Sequence, residues 1–305
     1  MRYAATRAES DQLVVETLAV FFDSTPLAFP IFMGLIGLAA GSFLNVIIHR
    51  LPRMLEQEWR TQCAELSGQA DGFPTSRFSL ASPCSSCPHC GHEITALENI
   101  PLLSYCFLKG RCRACAGPIS LRYPFVELLS GVTVAAIAWR WGFSLQTLCA
   151  AFLTWSLVAL SFIDIDTKYL PDSITLPFLW FGIACNYFGV FTDLESSVSG
   201  AMAGYLSLWF VYQIFKLATG KEGMGHGDFK LLAMLGGWIG WQAIPVIIVL
   251  SSFVGATIGI TQIAFQGAGR GTPIPFGPYL ACAGWISLLW GKDLVTAYMR
   301  WITVA

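Results

Sequence analysis

The chain has 305 residues, 55% of them hydrophobic and only 12% charged, with a mean hydropathy of +0.60. A soluble protein carries about a quarter of its residues as charged side chains, so water is not the main solvent here. A net charge of −1, with no Lys/Arg block longer than a few residues, offers no field for a polyanion and excludes nucleic acid as a partner.

Residues 1–26 carry Glu9, Asp11, Glu16 and Asp23, and their one apolar run, Leu13 to Phe22, is interrupted by Glu16. They read as a surface segment and not as a cleavable secretory signal. The first stretch able to cross a hydrocarbon core about 30 Å thick is 27–49. A polar stretch, 50–122, follows. Seven apolar runs fill the rest, 123–305: Pro124 to Trp139, Ser144 to Ile163, Ser173 to Phe191, Ser196 to Leu217, Phe229 to Trp241, Ala243 to Phe265 and Phe276 to Trp290. The expectation is an all-α polytopic membrane protein of about eight transmembrane helices, with a small cytoplasmic domain between the first and second. The sixth and seventh runs are separated only by Trp241 and Gln242, and Pro245 suits a first helical turn, so they form two short spans or one re-entrant pair. Gly34, Gly37, Gly41 and Ser42 give the first helix a small-residue face for close packing.

Orientation follows from the cations, because positively charged loops stay in the cytoplasm. With 50–122 inside, thirteen Lys and Arg lie inside and five outside, namely Arg2, Arg7, Arg140, Lys292 and Arg300. Both termini are then extracytoplasmic.

Within the polar segment, Cys87-Pro88-His89-Cys90 and Cys112-Arg113-Ala114-Cys115 form two CxxC units 21 residues apart. Two tight turns that each present two thiolates can enclose Zn²⁺ in a tetrahedron, which leaves no position for a reactive water; such a site is structural and supplies folding energy to a small polar segment. Two disulfides are the competing reading, disfavoured in a reducing compartment. Cys84 makes a third CxxC with Cys87, so a ligand set shifted to Cys84 stays open.

Acids beside membrane spans are costly and therefore functional candidates. They gather in two places: Asp164, Asp166 and Asp172 around the third and fourth helices, and Asp228 in Gly225-His226-Gly227-Asp228 before the sixth. Singly, Asp172 and Asp228 read equally well as helix caps. Jointly, on one side of the membrane, two close carboxylates would share a proton, one activating water while the other polarises a carbonyl, as in aspartic peptidases. HExxH, GxSxG and GxxxxGK[ST] motifs are absent. His226 is a candidate to tune Asp228, or a loop histidine without that role.

Five blocks resemble the type IV prepilin leader peptidases: Gly41-Ser42-Phe43-Leu44-Asn45-Val46 with His49-Arg50-Leu51-Pro52; the paired CxxC; Ile119 to Pro124 with Glu127; Ile163-Asp164-Ile165-Asp166 through Leu170-Pro171-Asp172; and Gly225 to Leu231. Pro275-Phe276-Gly277-Pro278-Tyr279 is a sixth. The resemblance implies a bifunctional, multi-pass inner-membrane enzyme of a Gram-negative bacterium with its active site facing the cytoplasm. It implies removal of the basic leader from prepilins and from pseudopilins of type II secretion, then N-methylation of the new terminus with S-adenosylmethionine as donor. The family's catalytic aspartates fall on Asp164 and Asp228, with Asp166 a second candidate for the first position, and its zinc thiolates on Cys87, Cys90, Cys112 and Cys115. Glu127 is a candidate to line the donor site or to sit in the headgroup region opposite Arg122. A zinc-stapled, inactive scaffold and a proton-coupled transporter are the readings from other classes.

Overall fold

The structure, a computed structural model, describes residues 16–17, 19–22, 24–68, 79–266 and 275–304. Among these residues there is no strand beyond isolated bridges, and eight helices exceed ten residues. They are α1 (Ala28–Leu66), α2 (Arg122–Trp141), α3 (Leu145–Thr167), α4 (Asp172–Tyr187), α5 (Leu194–Thr219), α6 (His226–Ile239), α7 (Ile244–Gln266) and α8 (Gly277–Val304). Each expected apolar run overlaps one of them. Among the described residues, four segments are long and apolar enough to cross a membrane: α1, α3, α5 and Trp241–Gln262, which is most of α7 with the turn before it. At 16 and 14 residues, α4 and α6 fall short of the roughly 20 that a full crossing takes.

Several boundaries differ from the expectation. Helix α1 does not stop near His49 but runs to Leu66 through Pro52. One missing backbone donor does not end a helix whose following residues, Met54, Leu55, Glu56 and Gln57, are good helix formers. Glu56 pairs with Arg60 one turn on at 2.6 Å, and Trp59 sets its edge on the ring of Tyr169 at 5.2 Å. Helix α8 likewise passes Trp290 and continues to Val304. Helices α6 and α7 are separate, because Gly240 turns the chain at φ +94, a conformation that side chains resist, and a 3-10 turn over Trp241–Ala243 follows. Of the expected surface segment, Phe22 is packed: its ring lies 5.0 Å from that of Phe29 and 5.6 Å from that of Phe143. The remaining residues of 1–15, with Arg2, Arg7, Glu9 and Asp11, lie outside the described residues, as does Arg270.

The chain separates into two compact units, 1–43 with 86–155 and 44–85 with 156–305. In the first, the small face of α1 does what its composition suggests: a Cβ on Gly41 would stand 2.6 Å from the Cα of Glu127, and one on Gly37 2.8 Å from the carbonyl oxygen of Ser130. Ser130 Oγ donates to the Gly37 carbonyl at 2.6 Å, closing the contact between α1 and α2. Phe29, Met33, Val134, Ala138 and Ala151 form the core of this unit.

In the second unit α6 is the central element, packed against α4, α5 and α8 and buried from Asp228 to Trp238 except at half-buried Lys230. Its contact with α5 is backbone to backbone, since Cβ atoms on Gly200 or Gly236 would overlap the other helix's carbonyls. The free carbonyls at its end are satisfied from α4 and α5: Asn186 Nδ2 donates to Gly237 and Trp238 at 2.9 Å, and Ser197 Oγ donates to Gly237. Trp238 Nε1 donates to the Phe178 carbonyl at 2.7 Å. These bonds fix α6, and with it Asp228.

Candidate active site

Asp164 lies in the last turn of α3 and is 5% exposed, whereas Asp166 is exposed. Two residues on a helix are about 200° apart, so one of this pair faces the unit's interior and the other does not. Asp164 Oδ2 accepts the backbone N–H of Gly277, the first residue of α8, at 3.0 Å. A helix start has unpaired N–H groups and a positive dipole end, and here a carboxylate from another helix meets them. The approach needs glycine: a Cβ at position 277 would stand 2.8 Å from the same oxygen.

Asp228, in the first turn of α6, is 8% exposed. It is not a cap, because the N-cap is Gly225 and no side chain caps this end. The Asp164 carboxylate acts on it electrostatically. Buried Leu170, in the turn between α3 and α4, fits between their neighbours: a Cβ on Gly277 would lie 3.2 Å from Leu170 Cδ2, and one on Gly227 2.8 Å from Leu170 Cβ. Leu170 thus packs against a neighbour of each acid, Gly277 beside Asp164 and Gly227 before Asp228, although the acids are 64 residues apart in the chain.

Asp172 does not cap α4 either; Pro171 is the N-cap, without a side-chain bond. Instead both Asp172 carboxylate oxygens accept from Lys230 Nζ, at 2.6 and 2.7 Å, which ties the start of α4 to the turn of α6 that carries Asp228. His226 turns to aromatic neighbours, 5.3 Å from the ring of Tyr212 and 5.4 Å from that of Phe229.

In the other unit, the four paired cysteines form one cluster whose sulfurs all lie within 4.8 Å of one another. Cys87 Sγ is 3.9 Å from Cys115 Sγ and Cys90 Sγ 4.0 Å from Cys112 Sγ. A tetrahedron of sulfurs about 2.3 Å from a zinc ion has edges of roughly 3.8 Å, so the donors fit that ion, and disulfides, at about 2.05 Å, are not formed. Both knuckles use the same backbone bonds: the N–H of Gly91 donates to Cys87 and that of Ala116 to Cys112, each at 2.9 Å. Backbone N–H groups of His89 and Cys90 hold the Cys87 thiol down, at about 7. At Cys90 the N–H of His92 acts in the same direction, but desolvation and the three neighbouring sulfurs outweigh it and push the thiol up to about 12. Four thiolates at these distances call for a cation between them. Cys84 is exposed and outside the cluster; His89 and His92 are outside it too.

Glu127, buried on α2, accepts the N–H of Leu102 at 2.9 Å. Its carboxylate thus joins α2 to the segment between the two cysteine pairs.

Buried acids carried by separate helices, neither capping its own, are an arrangement with a chemical use, and the relatives of the chain agree on which. Residues 35–141 match the bacterial peptidase A24 N-terminal domain and residues 151–260 the type IV leader peptidase family. The chain is 52% identical over 280 residues to the prepilin leader peptidase/N-methyltransferase of Stutzerimonas stutzeri, covering 92% of this chain and 97% of that one. It belongs to the type IV leader peptidase family. The protein of the same name from Aeromonas hydrophila is 55% identical over 266 residues, 87% of this chain and 92% of that one, and the one from Legionella pneumophila 45% over 267 residues, 88% and 93%. No solved structure matches the chain.

For a leader peptidase, the structure brings together Asp164 with Asp228, and Cys87 and Cys90 with Cys112 and Cys115; it leaves Asp166 and Cys84 apart from both groups. Sequence reasoning noted Pro275 to Tyr279 but gave Gly277 no task, and it missed Leu170 and the Asp172–Lys230 pair. Only the glycine carried a signal, as the one residue type that admits a carboxylate so close to the backbone. Gly277→Ala should displace Asp164 and lower kcat for peptidase turnover by about 10²-fold with KM little changed, as expected for a reacting group moved by about 1 Å. Steady-state kinetics in detergent measures it; unchanged kcat would show that this contact does not position Asp164.

Proposed function

We propose that the chain is a membrane-embedded aspartic peptidase that removes the leader from type IV prepilins and type II secretion pseudopilins and then N-methylates the new terminal residue, with S-adenosylmethionine as methyl donor. The observation that carries this reading is the burial of Asp164 and Asp228 in one unit, from α3 and α6, with neither spent on capping its own helix. The family and the names of its relatives supply the two activities, peptidase and N-methyltransferase.

The pair works with one proton between its members. One carboxylate takes a proton from a water as the oxygen attacks the scissile carbonyl carbon, while the protonated partner donates to the carbonyl oxygen. Return of a proton to the amide nitrogen then lets the C–N bond break, and the pair is restored to a single proton. The N–H of Gly277 fixes the Asp164 carboxyl group through these steps, and the Lys230–Asp172 bridge holds the turn that carries Asp228. Gly225 leaves open space beside the Asp228 carboxylate where an extended peptide would approach.

All eight helices belong to the bundle in the bacterial inner membrane, α4 and α6 as short elements sheltered by the longer ones, with the acids at the cytoplasmic boundary. The charge asymmetry of the loops and the position of the acids at helix ends support this placement. The four cysteines hold one structural zinc ion that keeps their module folded.

Asp164→Asn and Asp228→Asn should each lower cleavage of a prepilin precursor by about 10²–10⁴-fold, the usual contribution of a positioned proton-transfer group. Methylation of an already cleaved pilin should persist in both variants. Processing by purified enzyme in liposomes, followed by mass spectrometry, reads both steps, and retained cleavage in both variants would end the proposal. Separately, Cys→Ser at any of positions 87, 90, 112 and 115 should cost the single equivalent of zinc, whereas Cys84→Ser keeps it. Metal analysis decides; full zinc in a Cys90→Ser variant would return Cys84 to the ligand set.

A further inference from the structure

The segment between the two cysteine pairs, 97–108, is tied to the helices at two points. Ser42 Oγ of α1 donates to Asn99 Oδ1 at 3.2 Å, and the N–H of Leu102 donates to Glu127 Oε2 of α2 at 2.9 Å. Leu102 is held at φ +57, where a residue with a Cβ is unfavourable, so the second tie works against a local cost. Ser42 stands eight residues before Arg50 on α1, and Glu127 five residues after Arg122 on α2; these arginines close the apolar runs of the two helices. At ~1.5 Å of rise per residue, the ties lie about 12 Å and about 7.5 Å inside those ends.

A loop drawn that far along two membrane helices meets lipid, and its outward side chains suit lipid. Phe107 is 82% exposed and Leu97 74%, with Leu103 and Ile100 also exposed. These four line an open groove of about 210 Å³ together with Glu98 and Arg113. Just beyond them the exposed side chains are cations, Lys109, Arg111 and Arg113. Apolar side chains at the level of the helix ends, with cations beside them, are the pattern of a segment seated at the boundary between acyl chains and anionic headgroups. Phe125 and Leu128 on the adjoining α2 are exposed apolar side chains as well.

We propose that 97–108 is a membrane-immersed anchor for the metal-binding module, with Leu97, Leu103 and Phe107 in contact with phospholipid acyl chains. The inference rests on reading α1 and α2 as spans, and the test separates the two. The photoreactive residue p-benzoylphenylalanine is placed singly at 97, 103 and 107 of the full chain. Exposed polar Glu93 of the first knuckle and Phe125 of α2 serve as comparators. The enzyme is reconstituted in nanodiscs of phosphatidylethanolamine and phosphatidylglycerol and irradiated.

Lipid adducts at 97, 103 and 107 that match Phe125 and exceed Glu93 several-fold are the expected result. Adducts at Phe125 with none above Glu93 at the three positions would overturn the anchor alone. No adducts at Phe125 would overturn the span reading of α2 and the anchor with it. Adducts only to an added prepilin peptide would make the patch a peptide groove and overturn the proposal. Hydroxyl-radical footprinting of the unmodified enzyme in the same discs guards against damage by the probe: Phe107 should be as protected as Phe125, and free oxidation of Phe107 would count against the anchor.

Discussion

Two carboxylates buried near helix ends in an apolar protein set the terms for what is packed around them. A buried acid needs a donor or a proton, and each such group costs several kcal/mol if left with neither. Asp164 has the N–H of Gly277, a group that α8 cannot use internally. Among the described residues Asp228 has no comparable bond, and it stands in the field of Asp164. One pair of acids with one strong external donor is a natural holder of one shared proton, which is what hydrolysis by a water molecule requires. The rest of the second unit, from the glycine contact of α5 with α6 to the Asn186 clamp on the end of α6, keeps these groups where they are.

The metal-binding module shows the same logic in another form. A polar segment of this size buries little apolar surface, and its two knuckles are joined by the sulfur cluster and by Glu98, which reaches His92 at 3.3 Å and Arg113 at 3.9 Å. Glu127 and Ser42 then tie it to its two helices. The module is thus fixed at its sulfur centre and again at its attachment.

Much of this was legible in the residues. Eight apolar runs located eight helices because lipid and core both demand uninterrupted apolar sequence, and the CxxC spacing located a cluster because its geometry is local. The helical register separated what sequence left open: Asp164 and Asp166 differ only in the face they occupy, and that is set by packing. The extension of α1 past His49 was hidden because a solvated polar helix, containing a proline, has no apolar stripe to announce it. The Asp172 carboxylate went to Lys230 instead of a cap, a choice decided by a residue 58 positions away. Gly277 was invisible for the same reason, since its function is a backbone bond to a residue 113 positions distant.

The central claim is that Asp164 and Asp228 occupy one site in the working membrane enzyme. Pairwise cysteine cross-linking at the two positions measures this directly: Asp164→Cys with Asp228→Cys in native membranes, treated with a short bifunctional thiol reagent and mapped by mass spectrometry. The account predicts a 164–228 cross-link as the dominant product of the double variant. If both thiols react singly and that cross-link does not form, the two acids do not share a site.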